Sequence, residues 1–427
     1  MNFRHVLRAI GPGMLVAATG VGAGDLATAS LVGANLGLAV LWAVVVGAFL
    51  KFVLNEGLTR WQLATGSTLV EGCVARLGRT VIWLFLAYLA LWSFLVGAAL
   101  MSAIGVTAHA IYPLAGTDAG AARTDKVIYG VAHSLLAVLL VRLGGYRLFE
   151  RVMSVCIGVM FVVAVLTAVA LRPPIGEFFQ GLSIPRIPAG GVSWTIALLG
   201  GVGGTVTVLC YGYWIREEGR LGVEHLKTCR VDLAAGYVVT AIFGLAMVVI
   251  GNSLGELEGS GARLVVQIAE RLQETFGGTG PLVKWAFLAG AWGAVFSSLL
   301  GVWQSVPYLF ADLWQLTRPG RRDDGSRTRQ VDTTSLAYRS FLYAISLVPI
   351  IGLVAVNFQS MQKVYAMVGA LFIPMLAGVL LYLNGQSRFV GDRHKNAPLT
   401  TAVLIGAMLL FLFAGVSEIR DQWIGPQ

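Results

Sequence analysis

Long apolar runs alternate along this chain with short polar segments that carry most of its arginines. A helix needs about 20 predominantly apolar residues to cross the hydrocarbon of a bilayer. That spacing predicts eleven spans, near residues 11–34, 38–57, 81–111, 127–143, 152–171, 193–214, 233–252, 283–305, 338–356, 362–383 and 398–416. Two of them are interrupted. In the first, GVGAGDLATA (20–29) sets three glycines in five residues ahead of Asp25, and in the sixth, GGVGGT (200–205) repeats the pattern.

The starts of the interrupted spans lie five apart, which predicts an inverted repeat of 11–172 and 193–383 within one membrane domain, 1–427, with an extra helix at 398–416. Glycine interruptions at matching places in two halves point to a transporter's binding site. Helical backbone opened at mid-membrane leaves polar groups unsatisfied, and is tolerated only where protein buries it or it lines a cavity. Close helix packing is the competing reading, since Gly20 with Gly24 and Gly200 with Gly204 also fit GxxxG. Asp25 favours function, because an ionisable group at this depth is costly.

Composition excludes a soluble protein, with 56% of the 427 residues hydrophobic and only 12% charged. The positive-inside rule sets the orientation. With the N-terminus cytoplasmic, inner segments hold 21 of the 31 lysines and arginines, including Arg4, Arg8, Arg142, Arg147, Arg151, Arg321, Arg322, Arg327 and Arg329. A cytoplasmic N-terminus, an external C-terminus and a bacterial-type plasma membrane are therefore expected. The net charge of +9 is accounted for by loops facing anionic lipid, without nucleic acid. The four scattered cysteines predict neither disulfides nor a zinc cluster. Arginines before the first apolar run imitate a signal peptide, but Gly11, Pro12 and the glycine-rich break fit an uncleaved helix better. No catalytic motif or phosphate-cradling loop appears, so neither enzyme chemistry nor a cofactor is expected.

The run from GPGMLVAATGVGAGDLATASLVGANLGLAVLW through LNEGLTRWQLATG resembles the natural resistance-associated macrophage protein (Nramp) family of divalent-metal transporters. IALLGGVGG and AGAWGAVFSSLLGVWQ are similar to that family's sixth and eighth helices. The resemblance implies an all-α, leucine-transporter-like fold of 11 transmembrane helices, a 5+5 inverted repeat with helices 1 and 6 broken. The departures fall on functional positions. Where the family carries Asp-Pro-Gly-Asn this chain has Gly22, Ala23, Gly24 and Asp25, and Met-Pro-His is replaced by Gly204, Thr205 and Val206. The soft sulfur ligand suited to transition metals is absent there. The acidic residues of the family's proton route map onto Leu91 and Phe94, which puts proton coupling in doubt. Alignment through Pro374 sets Met367 where relatives often carry glutamine, so Asp25 and Met367 form one candidate metal site, with an apolar gap-filler as the alternative.

Thr19, Gly22, Asp25, Gly201, Gly204, Thr205 and Met367 are thus the candidate substrate-binding positions, and Asp25 the candidate metal ligand. Lys51 and Asn55 share a face of the second span, followed by Glu56 and Arg60 at i,i+4 spacing. Lys51 either snorkels toward the inner surface or brings its ammonium to the break beside Asp25, in a cation's place. Thr207, Gln304, Ser297 and Ser298 are candidate cavity residues, with helix-to-helix hydrogen bonding as the alternative. Arg216, Glu217 and Glu218 form either an interfacial cap or an inner gate, and His133 is expected in a satisfied structural contact. Three functions follow: transport of a divalent cation, a hard ion such as magnesium or manganese; transport of a small organic solute such as an amino acid or amine; or a membrane sensor or scaffold that moves nothing.

Overall fold

The computed structural model describes residues 11–254, 262–318 and 331–423. Arg4, Arg8, Arg321, Arg322, Arg327 and Arg329, and most of the hydrophilic stretch before the ninth span, lie outside the described residues. Each expected span is helical. Among the described residues, nine helices are long and apolar enough to cross a membrane. The first of these, Ala29–Thr65, is divided at Gly37, whose φ of 67° ends the Ala29–Leu36 helix. The first span therefore runs from Pro12 to Leu36, and the second is Leu41–Thr65. The eleventh is the helix Pro398–Trp423.

Local chemistry explains where several elements start. Pro12 opens the first helix, where the missing N–H costs nothing. Thr68 and Glu71 form a reciprocal capping box on Leu69–Leu77, a short helix following the second span. The Asp118 carboxylate accepts the amides of Gly120 and Ala121 at the head of the fourth span. Pro349 marks the join between Leu336–Leu347 and Ile350–Ala355 in the ninth.

Two elements depart from the sequence reading. The inner loop expected between the fourth and fifth spans, around Arg142, Arg147 and Arg151, is helical, and Ala119–Ala170 forms one helical run containing the spans Ala119–Gly144 and Tyr146–Ala170. No proline interrupts the segment, and the good helix formers on either side of Gly144 and Gly145 carry the helix across that pair. The eighth span is longer than its apolar stretch, Gly280–Leu316, and contains Pro307.

The eighth span lies at the centre, packed against the first, third, fourth-to-fifth and ninth. The seventh, Val223–Ser253, embraces the first through two glycine pairs. Gly13 rests on the Asp232 backbone and Gly236 on Gly13, while Gly33 rests on Val248 and Gly251 on Ser30. Contact this close is how helices associate in lipid, where apolar side chains gain little by leaving the solvent. The outer surface carries exposed leucine and valine from many spans, among them Leu84, Leu139, Val155, Leu166 and Leu409, as a lipid-facing surface should.

Candidate functional site

The two glycine interruptions meet. A side chain at Gly20 would collide with the backbone of Gly203 and Gly204, so the first and sixth spans touch main chain to main chain. The interruptions differ in kind, however, and the expectation of two unwound points needs correcting. Val21–Thr28 is not unwound but widened into π-helix, whereas the sixth span stops as α-helix at Gly201 and resumes as a 3-10 turn at Val206. Gly203 and Gly204 bridge the gap with φ of 74° and 81°, a left-handed conformation that side chains with a Cβ resist.

The wide turn has an identifiable cause. The Ser298 hydroxyl of the eighth span accepts the Gly22 amide at 2.7 Å and donates to the Ala18 carbonyl at 3.0 Å. Those two backbone groups would bond each other in an α-helix. A side chain inserted in that ladder opens it, and π-bulges of this sort concentrate at functional sites. Ser297 donates to the same carbonyl at 3.2 Å. The pair thus takes the helix-to-helix alternative, and by doing so shapes the site.

Asp25 emerges from this turn, fully buried. Its Oδ2 accepts the Gly203 amide at 3.4 Å, while its Oδ1 has no partner. Lys51 approaches the same break from the second span. Its Nζ donates to the carbonyls of Gly200 at 2.9 Å and Val202 at 3.2 Å, and to that of Gly204. At 1% exposure it does not snorkel, and the expectation of a lysine reaching for the inner surface is overturned. The reason is stoichiometric: unwinding frees three carbonyls, and an ammonium has three hydrogens to give them. The site holds one acidic and one basic side chain, each bonded to the backbone of the same broken segment.

The remaining candidates divide. Gly201 and Gly204 form the break, linked by a 3.3 Å bond from the Gly204 amide to the Gly201 carbonyl. Thr205 accepts from the indole of Trp92 at 3.0 Å, and Thr207 is buried beside Gly204. Asn55 donates to the Tyr237 hydroxyl at 3.2 Å, and the Tyr237 ring lies against Gly203. Thr19 is turned onto its own helix, bonding the Leu15 carbonyl at 2.6 Å. Gln304 accepts from Trp214 at 2.9 Å, a bond between spans. From the tenth helix, Gly369 abuts Thr205 and Ala370 abuts Gly200, whereas Met367 is only half-buried. Two residues along a helix turn a side chain to another face, which is why Met367 parts company with Gly369.

The residues sequence reasoning missed are aromatic. Trp92 from the third span and Tyr365 from the tenth stand together, ring centroids 6.5 Å apart, and both hydrogen-bond Thr205. A lone aromatic in an apolar run carries no signal that separates site from core. His133 is satisfied at both ring nitrogens, by the Tyr129 carbonyl at 2.7 Å and the Trp292 indole at 3.0 Å, as expected.

Arg216, Glu217 and Glu218 stand in different surroundings. Arg216 reaches the Gly66 carbonyl at 3.3 Å and Glu71 at 3.7 Å, Glu217 is half-buried and Glu218 is exposed. The charged cluster in this region is built instead around Asp232, fully buried, which accepts from Gly11, Gly13, Tyr211 and Arg220, each at 3.0 Å. Glu56 and Arg60 pair as their spacing predicts, at 3.3 Å, and Arg230 joins Glu56 at 2.6 Å.

As for metal ligands, no group of three or more histidine, cysteine, aspartate or glutamate residues converges among the described residues. A cation here would be held by the Asp25 carboxylate and main-chain carbonyls, the oxygen donors that hard ions prefer.

The molecule is similar to known proteins along its whole length. A family model described as natural resistance-associated macrophage protein-like matches residues 13–419. A divalent metal cation transporter, MntH, of Chromohalobacter salexigens is 22% identical over 262 residues, 58% of this chain and 57% of that protein. The metal transporter Nramp6.2 of Populus trichocarpa is 28% identical over 210 residues, 47% of this chain and 35% of its own length. The chain thus spans roughly a third to just over half the length of these two relatives. Among solved structures, a manganese transporter from Eremococcus coleocola superposes with a TM-score of 0.71 at 18% identity, covering 99% of this chain and 89% of that one. MhsT in complex with L-phenylalanine superposes with a TM-score of 0.63 at 17% identity, covering 95% and 98%. The fold is the one these solved structures share, and by the family match over nearly all its residues this chain belongs to the natural resistance-associated macrophage protein-like (Nramp) family.

Proposed function

We propose that the protein is a secondary membrane transporter that moves a divalent cation, a hard ion such as magnesium or manganese, through a site between the wide turn of the first span and the unwound sixth. The observation that carries this reading is Asp25, a fully buried carboxylate whose Oδ1 has no partner, set against main chain opened by Gly203 and Gly204. A buried charge left one bond short is costly, and a cargo cation would complete it. The relatives named as metal transporters support the cargo class. Two halves, 11–172 and 193–383, rocking about this point would give alternating access, with the N-terminus cytoplasmic in a plasma membrane. Proton coupling by the family's usual route finds no support, since Leu91 faces outward and Phe94 is apolar.

A second reading keeps the fold and changes the cargo to a small organic solute such as an amino acid or amine. Lys51 favours it, because an ammonium already occupies the three freed carbonyls. Purified protein in liposomes separates the two. Manganese or magnesium uptake that is lost in Asp25→Ala supports the first, and Asp25-dependent uptake of an amino acid with no metal flux supports the second. Binding without flux of any solute would favour a sensor.

A further inference from the structure

Lys51 is fully buried in the second span, and it meets Asp25 at the same broken segment of the sixth. Desolvating an ammonium costs several kcal/mol unless it is fully hydrogen-bonded. Here its three donors meet three carbonyls, of Gly200, Val202 and Gly204, that exist as free acceptors only because the sixth span is unwound. These carbonyls and the Asp25 carboxylate are the oxygen-rich set that a hard cation would use. The lysine is therefore placed where cargo would bind, on a tether 26 positions from the carboxylate in sequence, and the two side chains bring the site to neutrality.

We propose that Lys51 is the resident cation of this site, and that a cargo cation binds only by exchange, taking the carbonyls of Gly200, Val202 and Gly204 as the ammonium withdraws. This rests on the cation reading of the site. A divalent ion added beside the ammonium would leave two uncompensated positive charges in a low-dielectric interior, where repulsion is strong. With the ammonium gone, the same ion meets Asp25 and three unoccupied oxygens. The tether sets the affinity: cargo competes with a covalently attached rival whose effective concentration is high. Such a device keeps the site closed to ions at low concentration, and it prevents the empty carrier from cycling with an uncompensated carboxylate.

The test is calorimetric titration of the full-length protein in detergent with manganese chloride and magnesium chloride, beside liposome uptake of the same ions. Lys51→Met removes the rival charge, Lys51→Gln removes it but leaves an amide donor for the carbonyls should the methionine variant not fold, and Lys51→Arg keeps the charge. Folding is read from thermal melts. Exchange predicts at least a tenfold tighter metal affinity in the neutral variants, no gain in Lys51→Arg, and loss of the gain when Asp25→Asn is added. A folded neutral variant that binds metal no better than the wild type overturns the proposal. The two readings fail separately. Asp25-dependent wild-type flux with no gain in the neutral variants sinks exchange alone, whereas tightened, Asp25-dependent binding in them without wild-type flux sustains exchange and sinks transport.

Discussion

Gly13 and Asp232 stand 219 positions apart in sequence, and the Gly13 amide lies 3.0 Å from both oxygens of the Asp232 carboxylate. The Gly11 amide adds a third contact, and Arg220 and Tyr211 of the sixth-span region close the shell. One buried carboxylate thereby fastens the head of the first span to the sixth and seventh. Removing one member of such a cluster strands the others, at about 3–5 kcal/mol. Asp232→Ala should therefore lower the melting temperature markedly. Tyr211→Phe, which deletes the hydroxyl shared between Asp232 and the Cys229 carbonyl, should cost about 1 kcal/mol. If the cluster also acts as a gate, cysteines introduced at the head of the first span should react faster with thiol reagents in the Asp232→Ala background. An unchanged rate would limit the cluster to stability.

Ser298 bridges Gly22 and Ala18, so it holds the wide turn open. Ser298→Ala should cost about 1–3 kcal/mol by leaving the Gly22 amide without its acceptor, while the Ala18 carbonyl keeps Ser297, and should weaken cargo binding as Asp25 loses its placement. Ser297→Ala should do less, since that hydroxyl shares its bond with its own helix at Ala294. Denaturation and binding measured on both variants check the order, and equal effects would refute it.

Three glycines with different surroundings test the break. Gly203→Ala meets a φ of 74° and the Tyr237 ring 2.9 Å from the new Cβ, so strain of about 1–2 kcal/mol combines with a clash. Gly20→Ala has no strained φ but would force apart the two main chains. Gly219→Ala has a similar φ of 69° with open space around it. Flux should be lost in the first two and retained in the third, measured in liposomes at equal protein.

Arg60 ties the second span to the segment before the eleventh, donating to the His394 carbonyl at 2.7 Å and to Asn396 Oδ1 at 2.8 Å while it pairs with Glu56. A guanidinium serves three acceptors at fixed angles and an ammonium does not. Arg60→Lys should therefore lose most of what Arg60→Ala loses, and hydrogen exchange should rise at residues 391–397 in both. Protection left intact in the lysine variant would show that charge alone suffices.

Much of the architecture was legible in the residues. The helical character of the eleven spans, the Glu56–Arg60 pair and the paired glycine interruptions rest on local or periodic patterns, and each appears where the pattern placed it. The long continuous helix through Arg142 and Arg147 was not legible, because arginines mark a membrane boundary without saying whether the backbone turns there.

The site was read unevenly, for a physical reason. Asp25, Gly203 and Gly204 announce themselves: a charge in lipid and a glycine cluster in a helix are each costly on their own, and sequence records the cost. Lys51 was ambiguous, since a long flexible side chain reaches either the interface or the core from one backbone position. Only the facing segment, with its freed carbonyls at Gly200, Val202 and Gly204, decided between them. The π-turn, the Asp232 cluster and the Trp92–Tyr365 pair around Thr205 depend on side chains from other spans arriving within about 3 Å of their partners. The sequence by itself determined which segments enter the membrane and where their backbone is weakest. Tertiary packing decided which buried groups satisfy one another there, because a hydrogen bond is settled by distance and direction, and neither is written in the order of residues.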